Sequence, residues 1–293
     1  MPAVLLSRLE QQIQAFSPTF DRPDTFVPNV IGLLELYADR TYQAGYEVPP
    51  SSKMVAYRVP GVVMHSLELE FHRLAKTAPD NALLIADQLW SGHRLELKQL
   101  AISLLGSIPL ENADQVMERI GKWAPGCSDR ILLRELLTKS NPLILQERPL
   151  LWIQKSREWL HSRDSSLIIL GIKSLEPFLE TENFNDLPQV YDSIHPLLNT
   201  MKVDVYPEMF QLVDQLVERH PTETVAFLKQ IILENPVTST LRLIRKILPS
   251  LPNPAQISIR ETMERANPSP LDSRLPPVKT KGLKRKVKKS RIR

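Results

Sequence analysis

The sequence predicts an all-α fold, a right-handed superhelical solenoid of antiparallel helix pairs, and three observations carry that prediction. Apolar residues recur at helical spacing: in Asp87–Gly106, DQLWSGHRLELKQLAISLLG, Leu97, Leu100, Ala101, Leu104 and Leu105 form the stripe of a helix with one buried face. The unit is then reused. A helix ending at Trp123 is followed by APGCSD and a new helix start at Asp129, and REWLHSRDSSLIILGIKSLEPFL again places a Trp, a polar turn and an amphipathic helix in that order. Finally, prolines punctuate the chain where helices begin. Pro79, Pro142, Pro149, Pro188, Pro207, Pro221 and Pro236 each precede or open an apolar-periodic segment, where the missing N–H is harmless and the fixed φ suits the first turn.

Taken in order, residues 3–16 form the first expected helix, with Val4, Leu5, Leu9, Ile13 and Phe16 on one face, and 28–44 the second, with Ile31, Leu34 and Tyr37. EVPPSSK and the YRVPGV around Pro60 break the pattern. Helices then follow near 62–77, 81–90, 94–106, 112–123, 129–138, 149–161, 165–179, 187–199, 205–219, 222–234 and 237–248. No run alternates as a strand would. The starts at 188, 207, 221 and 236 lie 14 to 19 residues apart, so a pair occupies ~30–40 residues, near the period of HEAT and armadillo units. A solenoid lengthens its core with each repeat, so residues 1–250 form one domain despite the length. From 251 the composition turns to LPNPAQ and ANPSPLDSRLPPVKTK. One short amphipathic turn is expected around Ile257–Arg265, within a proline-rich linker that leads to a basic tail lacking the apolar content to order itself.

Composition narrows the function classes. The single cysteine, Cys127, excludes an intramolecular disulfide and points to a reducing compartment. MPAVLLSRLEQQIQAF has no secretory pattern and no apolar run reaches the ~20 residues a membrane span needs. The expected location is cytoplasmic, or associated with the nucleoid or nucleus, and no membrane is implied. There is no glycine-rich phosphate loop, no metal constellation among the six histidines (His65 and His72 are seven residues apart on one helix) and no G-x-S-x-G. No cofactor or metal is expected. The formal net charge of +4 divides unevenly: Lys279–Arg293 holds nine Lys or Arg and no acid, which leaves 28 basic against 33 acidic residues, a net −5, for residues 1–278.

YRVPGVVMHSLELEFHRLAK, the Leu89-Trp90 pair followed by Glu96 and Leu100-Ala101, and Trp159 before a polar turn together resemble the DNA alkylation repair family of HEAT-like DNA glycosylases over roughly residues 55–235. The resemblance implies removal of cationic N3- or N7-alkylated purines. In that chemistry a carboxylate near the deoxyribose stabilises an oxocarbenium-like state while aromatic faces contact the lesion. On this chain it places Asp129 as the catalytic carboxylate and Trp123 and Trp159 as lesion or DNA contacts. The family's tandem aromatics before the Asp are reduced to Trp123, followed by APGCS. Its Arg after the Trp turn meets LIILGI, with Arg163 earlier, and its later Trp is missing from YPEMFQLVDQLVER. These departures predict absent or feeble excision.

The same residues have plainer roles. Asp129, before RILLREL, suits a helix N-terminus. Trp90, Trp123, Trp152 and Trp159 all lie in apolar helix contexts, and Cys127 has no partnered His. Three functions stand in order: a DNA-associated HEAT-like protein with weak or lost excision, an active glycosylase for N3/N7-alkylated purines, and a non-enzymatic scaffold binding a protein on its concave face.

In the tail, Lys279, Lys281, Lys284, Arg285, Lys286, Lys288, Lys289, Arg291 and Arg293 are spaced by Val287 and Ile292, without aromatic residues, a pattern suited to sequence-independent phosphate contact on duplex DNA and not to base reading. Solubility and localisation signals share that composition. If about five of these cations neutralise phosphates, log K should fall with log salt at a slope of roughly −4 to −5. Duplex affinity measured across salt concentrations should lose most of its strength and its slope when the chain ends at Val278. Equal affinity and slope in the truncated form would place the binding in the helical body.

Overall fold

The computed structural model describes residues 4–39, 54–180, 186–234 and 236–266; the basic tail from Lys279 lies outside them. Among the described residues the chain is all-helical, with no strand. Its α-helices are α1 (Leu6–Phe16), α2 (Pro23–Tyr37), α3 (Gly61–Thr77), α4 (Pro79–Ser91), α5 (Leu95–Gly106), α6 (Ala113–Trp123), α7 (Arg130–Lys139) and α8 (Pro142–Glu147). They continue through α9 (Pro149–Leu160), α10 (Ser165–Glu180), α11 (Leu187–Asn199), α12 (Tyr206–Arg219), α13 (Pro221–Leu233), α14 (Thr238–Ile247) and α15 (Asn253–Ala266). None of these is long and apolar enough to cross a membrane, and no group of three His, Cys, Asp or Glu could hold a metal ion among the described residues.

Proline opens α2, α4, α8, α9, α11, α12 and α13 at one of the first two helical positions, as its rigid φ favours. Four elements differ from expectation. The first helix starts at Leu6, and Leu5, expected on its apolar face, is 66 % exposed. The second helix starts at Pro23, not Pro28, because Pro28 is accommodated inside α2 while Phe26, Val27, Val30, Leu33, Leu34 and Tyr37 keep its apolar face buried. Expected residues 40–44 of that helix lie outside the described residues. Residues 142–147 form the extra short helix α8, which buries only Ile144 and so carries little periodic signal. The turn expected at 257–265 is a full helix, α15, packed against α13 with Ile259 fully buried. The helical body therefore continues past residue 250.

One connected apolar core runs from Leu9 to Ile259. It is built in two ways, by sequence neighbours such as α4 with α5 and α9 with α10, and by next-but-one partners. Contacts of the second kind join α1, α3, α5 and α7 in succession, then α10, α12 and α14; α7 meets α10 because the short α8 intervenes. A separate series joins α9, α11, α13 and α15. Polar rungs tie these contacts. Trp152 Nε1 donates to the carbonyl of Ser174 at 2.8 Å in the core, and Arg157 on α9 donates to Ser193 and Gln189 on α11. The Tyr191 hydroxyl meets Thr224 at 2.8 Å, and burial pushes its pKa up to about 12.

The α5–α7 contact positions the site. Gln99 on α5 donates to Glu135 on α7 at 3.1 Å, and at the C-terminal ends Gly106 abuts the backbone carbonyl of Lys139. Contacts advance together along both helices, so α5 and α7 run parallel and their N-terminal ends also lie side by side. A Cβ at Gly106 would collide with that carbonyl, whereas one at Gly32 would meet nothing within 4 Å. Gly106→Ala should therefore lower unfolding free energy by about 1–3 kcal/mol. Gly32→Ala, inside α2, should raise it by about 0.5–1 kcal/mol. Urea unfolding of the two variants measures the contrast; a neutral Gly106→Ala would contradict the close approach.

Candidate functional site: a tryptophan pair, Lys98 and Asp129

Asp129 occupies the N-cap of α7 in extended backbone, where its Oδ1 accepts from the amides of Ile131 and Leu132, both at 3.0 Å. An aspartate before an apolar-periodic segment folds this way because the first helical amides have no partner of their own. The same carboxylate borders a cavity of about 270 Å³ lined by Met54, Trp90, Lys98, Lys122, Trp123, Gly126, Cys127, Ser128, Asp129 and Leu132. Trp123 and Asp129, paired by the sequence resemblance, thus share one cavity. Both indoles are buried, Trp123 at 5 % and Trp159 at 6 % exposure, but Trp159 does not line the cavity: it packs edge-on against Trp152 with ring centroids 5.6 Å apart and closely overlies Gly121.

The cavity's aromatic wall is a stacked pair. Trp90 at the end of α4 and Trp123 at the end of α6 lie with centroids 4.6 Å apart and planes 7° from parallel. Lys98, in the first turns of α5, reaches back across the α4–α5 turn. Its Nζ lies 4.2 Å from the centre of the Trp90 ring and donates to the Trp90 carbonyl at 2.6 Å. Both contacts suit a cation, one through the ring quadrupole and one through the negative end of α4. Burial nevertheless pushes the Lys98 ammonium below the ordinary lysine value, with the neighbouring Cys127 sulfur opposing it. Burial also pushes the Cys127 thiol up, and its Sγ–H donates to the backbone carbonyl of Asp129 at 3.4 Å. Cys127 is therefore a neutral donor that shapes the turn, with little thiolate to act as a nucleophile.

Glu96 fixes the remaining wall. Its buried carboxylate accepts from the amides of Tyr57 and Arg58, at 2.9 and 2.6 Å, and Leu95 donates to the carbonyl of Val55. Residues 54–60, including Arg58 at φ 58°, are thereby held against the start of α5, which brings Met54 to the cavity. Sequence reasoning noted Glu96 only as part of a pattern and passed over Lys98 altogether, since a lone lysine in LELKQL looks like an ordinary solvated position.

Charge around the site is graded. Beside Asp129, a groove of about 360 Å³ between α7, α10 and α12 presents Arg130, Arg134 and Lys173 against Glu176 and Asp214. The cavity itself adds Lys98 and Lys122 against Asp129. Towards α3 the sign reverses: a groove of about 400 Å³ carries Glu68 and Glu135 against Lys139. Comparisons with family models, curated proteins and solved structures find no match to the chain.

The capping role gives Asp129 a stability signature separate from any chemistry. Asp129→Ala should cost about 0.5–2 kcal/mol, whereas Asp129→Asn, which retains a cap acceptor, should cost only a few tenths. Equal losses for the two variants in denaturant unfolding would contradict the cap.

Proposed function

We propose that this chain is a DNA-associated, HEAT-like repeat protein that resembles the alkylation repair glycosylases, with excision of alkylated purines absent or feeble. The two series of next-but-one contacts support a finer description of the fold, a right-handed superhelix of antiparallel pairs with the α3, α5, α7, α10, α12 and α14 series along its concave face. The observation that carries the functional reading is the placement of Lys98 and Lys122 on the wall of the cavity of Asp129 and Trp123, with Arg130, Arg134 and Lys173 in a separate groove that also holds Glu176 and Asp214. Positive charge beside an aromatic cavity suits a phosphate backbone more than an acidic protein surface would. This contribution from the body adds to that of the basic tail.

Weak excision has its own support. Lys98 already lies over the exposed side of the Trp90–Trp123 pair, and a cationic base entering the same partly desolvated cavity would be repelled by it. Trp159 is committed to the core. The scaffold reading draws on the groove at Glu68 and Glu135, whose negative sign suits a basic peptide. Release of 7-methylguanine from an alkylated duplex decides between the enzymatic readings. Little or no release is expected from the wild type; robust release that disappears in Asp129→Asn would establish an active glycosylase.

A further inference from the structure

The cavity holds one group that glycosidic bond cleavage by a carboxylate does not require, the amine of Lys98. It is half-buried, lies against the Trp90 indole and hydrogen-bonds to a backbone carbonyl. No carboxylate forms an ion pair with it among the described residues. A lysine partly withdrawn from water and without an acidic partner is easier to deprotonate, and its neutral amine adds to carbonyl carbon. Losing its proton would still leave N–H groups to satisfy the Trp90 carbonyl.

Size and charge then select among carbonyl compounds. At about 270 Å³ the cavity falls just below the about 300–1,000 Å³ of pockets that enclose drug-sized ligands, so it suits a base-free sugar better than a nucleoside. Lys122 on the cavity wall and Arg130 beside it supply cations for flanking phosphates. A neutral aldehyde also avoids the repulsion that Lys98 presents to a cationic base.

We propose that Lys98 is the nucleophile of an abasic-site lyase activity, acting on the ring-opened deoxyribose aldehyde of duplex DNA. This rests on the DNA-associated reading of the protein and not on glycosylase activity. The Lys98 amine adds to C1′ and, with loss of water, gives an iminium linkage. A proton leaves C2′ for the Asp129 carboxylate, a C2′–C3′ double bond forms, and the C3′–O bond breaks with its electron pair departing on the 3′-phosphate. Water then adds to the imine, releasing the unsaturated aldehyde and restoring the Lys98 amine. No oxidant or reductant is consumed.

Borohydride reduction during incubation with a labelled duplex carrying one central abasic site tests the step, with binding of the same duplex followed in parallel by fluorescence anisotropy. The wild type should give a covalent protein–DNA adduct whose peptide map locates the linkage at Lys98. Lys98→Arg, which keeps a cation near Trp90 and should keep the wild-type melting temperature, should lose the adduct, as should Lys98→Ala. Asp129→Asn should still be trapped but should cleave the strand more slowly. Binding without an adduct, an adduct that persists in Lys98→Arg, or linkage only at tail lysines such as Lys281 or Lys286 would overturn the proposal while leaving DNA association intact. Failure to bind the duplex at all would overturn both.

Discussion

The parallel contact between α5 and α7 is the constraint on which the candidate site depends. At one end Gly106 lets the Lys139 carbonyl approach, and in the middle Gln99 reaches Glu135. At the other end the N-terminal turns of the two helices are left side by side, with Lys98 from one and Asp129 from the other lining the same cavity. Lys98 lies in the first turn of α5, and Asp129 is the N-cap immediately ahead of α7. Each sits at the start of a helix whose far end is fixed by packing, and such helix-borne groups are held more tightly than loop-borne ones.

Around that contact, structural and chemical roles are combined in single residues. Asp129 satisfies two helix amides and also faces the cavity. Trp90 is a wall of the cavity, while its carbonyl and its ring both engage Lys98. Glu96 is a buried carboxylate made tolerable by two backbone donors, and through them it determines where Met54 lies. Substitutions here will therefore alter stability and any activity together, unless the replacement keeps the structural half of the role, as Asn does for the cap.

Much of the helical architecture is legible in the sequence. Apolar spacing and N-terminal prolines place most helices within two residues of where they occur, because each helix has one buried face and a sharp start. The signal fades where those conditions fail. In α8 a single buried residue is too little periodicity, in α2 a proline sits inside the helix it was expected to begin, and in α15 only Ile259 is fully buried. The site was legible in part: Asp129 announces itself before RILLREL, and Trp123 shares its cavity. The importance of Lys98 could not be read, because it arises from the fold of the α4–α5 turn that brings its amine onto Trp90, eight residues earlier in the chain. Trp159 has the sequence context of a contact residue, yet Trp152 and Gly121 give it a close-packed place in the interior.

The central claim is that helix packing holds the Lys98 amine half-buried against Trp90 in the cavity it shares with Asp129. The most direct test is an NMR titration of the lysine side chains, with Lys98 assigned by its loss in Lys98→Arg. Burial, acting against the weaker influence of Cys127, predicts that Lys98 gives up its proton at lower pH than the exposed lysines of the same protein. A Lys98 that titrates together with them would contradict the account.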